Sequence, residues 1–426
     1  MKLTRRRLLA DLAAGAAVPW LAPLAAADAE KAEPLRAAAS RSLVPRPLDE
    51  DLATGHVGSL LGPIQRIRDA YGFAAESFAT NRYQPADHAA WRQRMLDRVF
   101  AAMHYAPTKT DFAVETVERV DRGTFVREKI YFNTTPELRV PAYVLVPKNR
   151  RGRMPGIVAL HDHGAFYRWG KEKLVGTDGE HPSLTAFKKT CYAGRSIADD
   201  LAAAGHVVIV IDMFFWGERR LRLPDDPPSG ATESDADVRK FNAARSPLEQ
   251  LVARTIGTAG FTWAGLIFWD DLRTLDYLAS RPEVDPQRLG CVGLSVGGWR
   301  TAHLAAFDAR IRAGVDVCWL TSFRDLQANH VRNTVGFTKL LPGLYRQLDM
   351  PDVVSLAAPR PLLCINGLQD KLFPVETGVR AAYKTLETVY AKLGAVEKFR
   401  GHLYDTPHEF NAQMQEEAWA WFKRWL

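Results

Sequence analysis

Three residues of this chain have the types and order of a nucleophile, an acid and a base. Ser295 stands in Gly293-Leu294-Ser295-Val296-Gly297-Gly298. An apolar run at 288–292 precedes it and reads as a short buried strand; residues 299–306 follow and read as a helix. A serine between glycines at a strand-to-helix turn is held in a strained backbone conformation, with its hydroxyl exposed. Neighbours without side chains let the strand and helix approach closely. The helix N-terminus then aims backbone N–H groups at any oxyanion formed beside the serine.

A serine hydroxyl is a poor nucleophile at its free pKa. It needs a base within hydrogen-bond reach and an acid that holds the base in the right tautomer. Asp370 follows the strand-like run 362–366, and His408 lies in Thr406-Pro407-His408-Glu409-Phe410, between the last strand and the C-terminal helix. The order serine, acid, histidine is the one such a turn uses. Strand–helix units fill both gaps, so all three side chains should emerge at the same edge of one sheet. Asp316 is a rival acid but sits inside a strand; His402 is a rival base but lies in a strand-like run.

Two amides should hold the oxyanion, those of Val296 and His163. His163 follows the strand ending at His161 in Leu160-His161-Asp162-His163-Gly164. The pair His161 and His163 lacks a further ligand at metal spacing, so no metal and no cofactor is expected. Beyond the strand ending at Asp212, Phe214-Phe215-Trp216-Gly217-Glu218-Arg219 should face the same edge. Asp212 is expected to accept backbone N–H groups of the neighbouring loop. Trp216 could stack on a sugar ring or fill the core; Arg219 could meet a substrate carboxylate or pair with a neighbouring acid.

The elements that must position these residues change character along the chain. Residues 60–103 are helical in pattern. Period-two strands follow at 116–120, 125–132 and 140–147, and read as antiparallel. From residue 155 the strands become short and apolar, at 156–161, 207–212, 289–294, 313–319, 361–366 and 397–404. Helices alternate with them near 196–204, 264–281, 298–308, 376–393 and 409–425. That alternation implies an α/β fold with a doubly wound, mostly parallel sheet. The connections 164–195 and 213–262 are too long for turns and are expected to be lid-like.

The chain has 426 residues, 47% apolar content and a formal charge of +7. Lys2, Arg5, Arg6 and Arg7 against Asp11 account for +3 of that charge within residues 1–27. The remainder is mildly basic, with no basic run interleaved with aromatics, so nucleic-acid binding has little support. Thr4-Arg5-Arg6-Arg7-Leu8-Leu9, an apolar segment to Leu24 and Ala25-Ala26-Ala27 resemble a twin-arginine export signal. This gives a signal peptide at 1–27, an N-terminal helical extension at 28–111 and a catalytic domain at 112–426. The expected location is periplasmic or secreted, reached through the twin-arginine pathway, with membrane contact only during transit. The four cysteines show no disulfide framework.

The motifs together resemble the α/β-hydrolase superfamily, and within it the dienelactone hydrolase and acetyl xylan esterase-like branch of secreted bacterial serine hydrolases. The residues that carry this are 160–164, 212–219, 293–298, Asp370 with Phe373-Pro374, and 407–410. The resemblance implies an α/β-hydrolase fold and serine-dependent cleavage of a carboxylic ester, often an acyl group on a sugar, so the partner is a small-molecule or carbohydrate ester. Ser295 stands where dienelactone hydrolases use cysteine, and Val296 where glucuronoyl esterases carry arginine. A peptidase of the prolyl oligopeptidase kind uses the same triad, but residues 28–150 leave no room for its propeller. A catalytically silent binding protein on a hydrolase scaffold is the other alternative, and the intact Ser295, Asp370 and His408 set argues against it.

Overall fold

The computed structural model of the chain describes residues 70–148, 152–224, 226, 233–323, 336–373 and 375–426. The export signal read at 1–27, the stretch 28–69 and Pro374 lie outside these. The described strands are β1 (Glu115–Asp121), β2 (Phe125–Asn133), β3 (Arg139–Pro147), β4 (Met154–Leu160), β5 (Val207–Ile211), β6 (Val284–Leu294), β7 (Ile311–Val317), β8 (Leu362–Gly367) and β9 (Phe399–Tyr404). They form one sheet in the order β1-β2-β3-β5-β4-β6-β7-β8-β9. The pairs from β1 to β3, and β3 with β5, are antiparallel. From β5 to β9 every pair is parallel. This is the mixed, mostly parallel sheet that the change of period implies.

The parallel strands read as continuous apolar runs because both faces are covered. In β4, Ile157 and Ala159 pack on one side and Val158 and Leu160 on the other, all without exposure. The described helices are α1 (His88–Met103), α2 (Pro182–Tyr192), α3 (Ile197–Ala203), α4 (Asp235–Arg245), α5 (Glu249–Thr258), α6 (Trp263–Ser280), α7 (Val296–Phe307), α8 (Met350–Ser355), α9 (Arg380–Lys392) and α10 (Ala412–Trp425). Helices α3 and α10 share one apolar cluster with β4 through Ile197, Leu201, Met414 and Phe422. Helix α1 places Trp91, Met95, Val99 and Met103 on one stripe, in the cluster that also holds Trp299 and Phe268. Its Arg92 donates to the carbonyls of Leu356 and Ala306 at 2.7 and 2.9 Å.

The connections 164–195 and 213–262 hold helices α2, α4 and α5. Their helical period is hidden because charged residues occupy inward positions. Lys188 in α2 is buried and donates to Val175 O at 2.9 Å. Arg245 in α4 is buried against Asp226. Read as a hydrophobic pattern, those positions look solvated.

The chain leaves β4 for β5 on one side, and β6 lies on the other. Such a reversal opens a crevice at the C-terminal ends of the strands. Leu160 at the end of β4 stands opposite Gly293 of β6. The residues after both strands therefore flank the crevice.

Candidate active site

Ser295 caps β6 with φ 59° and ψ −118°, and α7 begins at the next residue. A non-glycine residue held there costs on the order of 1–3 kcal/mol, which the packing around it must offset. That packing is tight. A Cβ on Gly297 would lie 2.0 Å from the Leu160 carbonyl oxygen, and one on Gly293 would lie 2.4 Å from the Gly297 carbonyl carbon. The Ser295 amide donates to Val317 O at 2.8 Å, which ties the turn to the end of β7. The residue is half-buried and open to solvent.

Two strands further along, β8 and β9 run in register, with Gly367 beside Tyr404. The loops after them bring Asp370 and His408 together. His408 Nδ1 lies 2.6 Å from Asp370 Oδ2, and Asp370 Oδ1 accepts the Leu372 amide at 2.8 Å. The carboxylate is almost fully covered, while the imidazole keeps part of its surface open. A carboxylate on Nδ1 holds the proton there and leaves Nε2 as the basic nitrogen. Cys318, next to the carbonyl that binds the Ser295 amide, offers Sγ to the same cluster: Cys318, Asp370 and His408 have ligand atoms within 4.8 Å of one another. Burial pushes the Cys318 thiol well above its usual range, so it is protonated beside this pair. The rival acid Asp316 is 1% exposed inside β7. The other rival, His402, pairs with Glu417 at 2.7 Å.

The loop after β4 is fixed from beneath. Lys173 Nζ donates to the carbonyls of Asp162 and His163 at 3.0 and 3.1 Å. Tyr192 Oη donates to Asp162 Oδ1 at 2.5 Å. The backbone then turns outward through Gly164 and Ala165, both at positive φ. Among the described residues neither the His163 nor the Val296 amide donates a hydrogen bond. His161 is fully buried: its Nε2 accepts the Met213 amide at 3.0 Å, and its Nδ1 lies 2.8 Å from Asp162 O. Burial holds this imidazole well below its usual pKa, hence neutral. His163 Nδ1 accepts the Ala165 amide at 3.0 Å and Nε2 faces Glu249 at 2.6 Å. Both rings thus have their nitrogens engaged as parts of the scaffold.

The two side chains read as possible substrate contacts are placed otherwise. Trp216 is fully buried among Tyr167, Phe215 and Trp263, and its Nε1 donates to His163 O at 3.1 Å. It supports the loop after β4 and presents no face to a sugar. Arg219 is half-buried, with Nη1 2.7 Å from Asp270 Oδ2. Its charge is used within the fold. Asp212 accepts the amides of Lys171 and Glu218 at 2.7 and 2.9 Å, as expected, and also pairs with Lys171 Nζ at 2.9 Å. Of the aromatic side chains in this region, Phe166, Trp169 and Phe214 keep part of their surface open. Phe166 stacks on Phe187 with centroids 4.6 Å apart, and the two line a groove of about 410 Å³ with Thr190 and Cys191. Cys191 O accepts the Phe410 amide at 2.8 Å, so the groove borders the His408 loop. A larger cavity of about 660 Å³, between α9 and β9, lies on the flank of the sheet, away from Ser295. Lys173, Tyr192 and Glu249 carry no sequence signal: they are charged or polar residues in long connections, and only folding shows what they hold.

The abhydrolase family pattern matches residues 59–413. The chain belongs to the abhydrolase family. Among other family-like proteins, YtaP of Bacillus subtilis (strain 168), described as a hydrolase, is 30% identical over 338 residues, which is 79% of this chain and 99% of its own. A Bacteroides fragilis NCTC 9343 protein described as an acetyl xylan esterase has a TM-score of 0.64 at 18% identity, over 81% of this abhydrolase and 82% of its own chain. A glucuronoyl esterase from Solibacter usitatus has a TM-score of 0.55 at 14% identity, over 83% and 96% respectively. At such identities the likeness speaks for a shared α/β-hydrolase fold.

Proposed function

We propose that this abhydrolase is an exported serine hydrolase that cleaves carboxylic esters, with short acyl groups on carbohydrates as its substrates. The observation that carries the reading is the Asp370–His408 pair at 2.6 Å, at the same sheet edge as a serine in a strained strand-to-helix turn. Ser295 Oγ attacks the acyl carbonyl. His408 Nε2 takes the serine proton and returns it to the leaving alcohol, while Asp370 orients the ring and stabilises the imidazolium. The amides of His163 and Val296 hold the oxyanion, each such donor being worth roughly 10²- to 10³-fold in rate. Water, activated by the same histidine, then releases the acid and restores Ser295. The carbohydrate assignment is supported by the two esterase neighbours and by the export-like N-terminus. Val296, rather than arginine, after the serine favours a simple acyl ester over a glucuronoyl ester. The Phe166–Phe187 groove suits a ring or a short acyl chain.

The test is a substrate panel on the purified enzyme with a fluorophosphonate probe in parallel. Ser295→Ala should abolish labelling and lower ester turnover by several orders of magnitude with the fold intact. Acetylated xylo-oligosaccharides and short aryl esters should be cleaved faster than long-chain esters. A tenth of wild-type activity left in Ser295→Ala, or kcat/KM rising steadily with acyl length, would overturn the reading.

A further inference from the structure

Behind His163 the fold retains opposite charges that are only partly used. Glu249 in α5 is buried, and its Oε1 is held by Tyr167 Oη at 2.7 Å and faces His163 Nε2 at 2.6 Å. Its Oε2 has no hydrogen bond among the described residues. Lys339 closes the short turn Phe337–Lys339 and is 7% exposed. Its ammonium makes no hydrogen bond and no ion pair among the described residues. Helix α5, which begins at Glu249, packs against this turn, and no salt bridge joins Glu249 and Lys339 among the described residues. Thr338 Oγ1 is likewise buried and unpartnered. A Cβ on Gly336 would lie 3.5 Å from Lys339 Nζ and 3.9 Å from Thr338 Oγ1, so the ammonium and the hydroxyl lie on the same side of this turn.

Burying an ammonium without a partner is costly, and the cost falls once a ligand supplies hydrogen bonds. We propose that Glu249 Oε2 and Lys339 Nζ form a hydroxyl-binding subsite that grips the sugar ring of the ester beside the His163 loop. This rests on the ester-hydrolase reading above. A sugar hydroxyl both donates and accepts, so it can give its proton to Oε2 and receive one from Nζ. Adjacent hydroxyls can bridge the gap that separates the two charges. The Thr338 hydroxyl adds a third polar contact. The ligand should be neutral: a uronate would gain from Lys339 but be repelled by Glu249.

The test compares an acetylated xylo-oligosaccharide with 4-nitrophenyl acetate, which deliver the same acyl group to Ser295. In Lys339→Met the ratio of kcat/KM, sugar ester over aryl ester, should fall about 10- to 100-fold, chiefly through KM. Lys339→Arg should recover part of it. The unmodified enzyme provides a second measurement: xylobiose should compete with 4-nitrophenyl acetate, and propanol at the same concentration should not. An unchanged ratio in Lys339→Met, or no competition by xylobiose, overturns the subsite while leaving the hydrolase reading in place. A larger loss on acetylated uronic acid than on neutral sugar overturns the neutral-ligand assignment. Failure of the wild-type enzyme to cleave any ester would instead sink the reading on which the subsite rests.

Discussion

Asp316 provides a decisive perturbation because the sequence makes it a rival for the acid's role. It sits in β7 at 1% exposure, and both carboxyl oxygens lack a partner among the described residues. Burial pushes its pKa from 3.8 up to about 8, so at neutral pH it is largely a protonated acid. In the unfolded chain it ionises near its ordinary value. Between the two values the folded state binds the extra proton, so stability falls as pH rises. This contribution is fully present below 3.8 and is lost as pH climbs through about 8. Each tenfold in an ionisation constant corresponds to about 1.4 kcal/mol. Across the whole window the loss is therefore roughly 6 kcal/mol, large against a typical stability of about 5–15 kcal/mol. Asn does not titrate. Whatever its own burial costs, Asp316→Asn should gain on the wild type as pH rises from about 4 to about 8. Urea unfolding at several pH values in this window measures that gap, and ester turnover is measured on the same samples. Turnover should stay within a few-fold of wild type. A gap that does not change with pH would refute the protonated-acid argument. A loss of several orders of magnitude in turnover would make Asp316 the catalytic acid and remove Asp370 from that role.

Two further outcomes are expected. Trp216→Phe removes the indole hydrogen bond to His163 O and should lower kcat about 2- to 10-fold with KM little changed; a fall in thermal stability with kcat/KM untouched would reduce Trp216 to core filling. Arg5→Lys combined with Arg6→Lys should leave unprocessed precursor in the cytoplasm, and normally processed protein outside it would defeat the twin-arginine reading.

Sequence alone was enough for the features that depend on neighbours in the chain. The turn at Ser295 is written in Gly293 and Gly297, because a Cβ on either would come within 2.0–2.5 Å of backbone atoms where β4, β6 and α7 meet. The strands are legible because each alternates or runs apolar over a short stretch, and a sheet covered on both faces leaves no other use for such a run. Asp370 and His408 could be placed in loops after strands, and parallel strands joined by helices bring such loops to one edge. What sequence could not decide is which polar groups face inward. Trp216 and Arg219 stand in the motif nearest the site, yet both are turned into the scaffold, one to His163 O and the other to Asp270. Lys173, Lys188, Glu249 and Lys339 look like surface charges in long connections, yet all four are buried. The physical reason is that a charged side chain is buried or exposed according to the partner that a distant segment presents. Glu249 meets His163 across 86 residues of chain, and only the crossing of β4 by the helical connection after β5 brings that pair together.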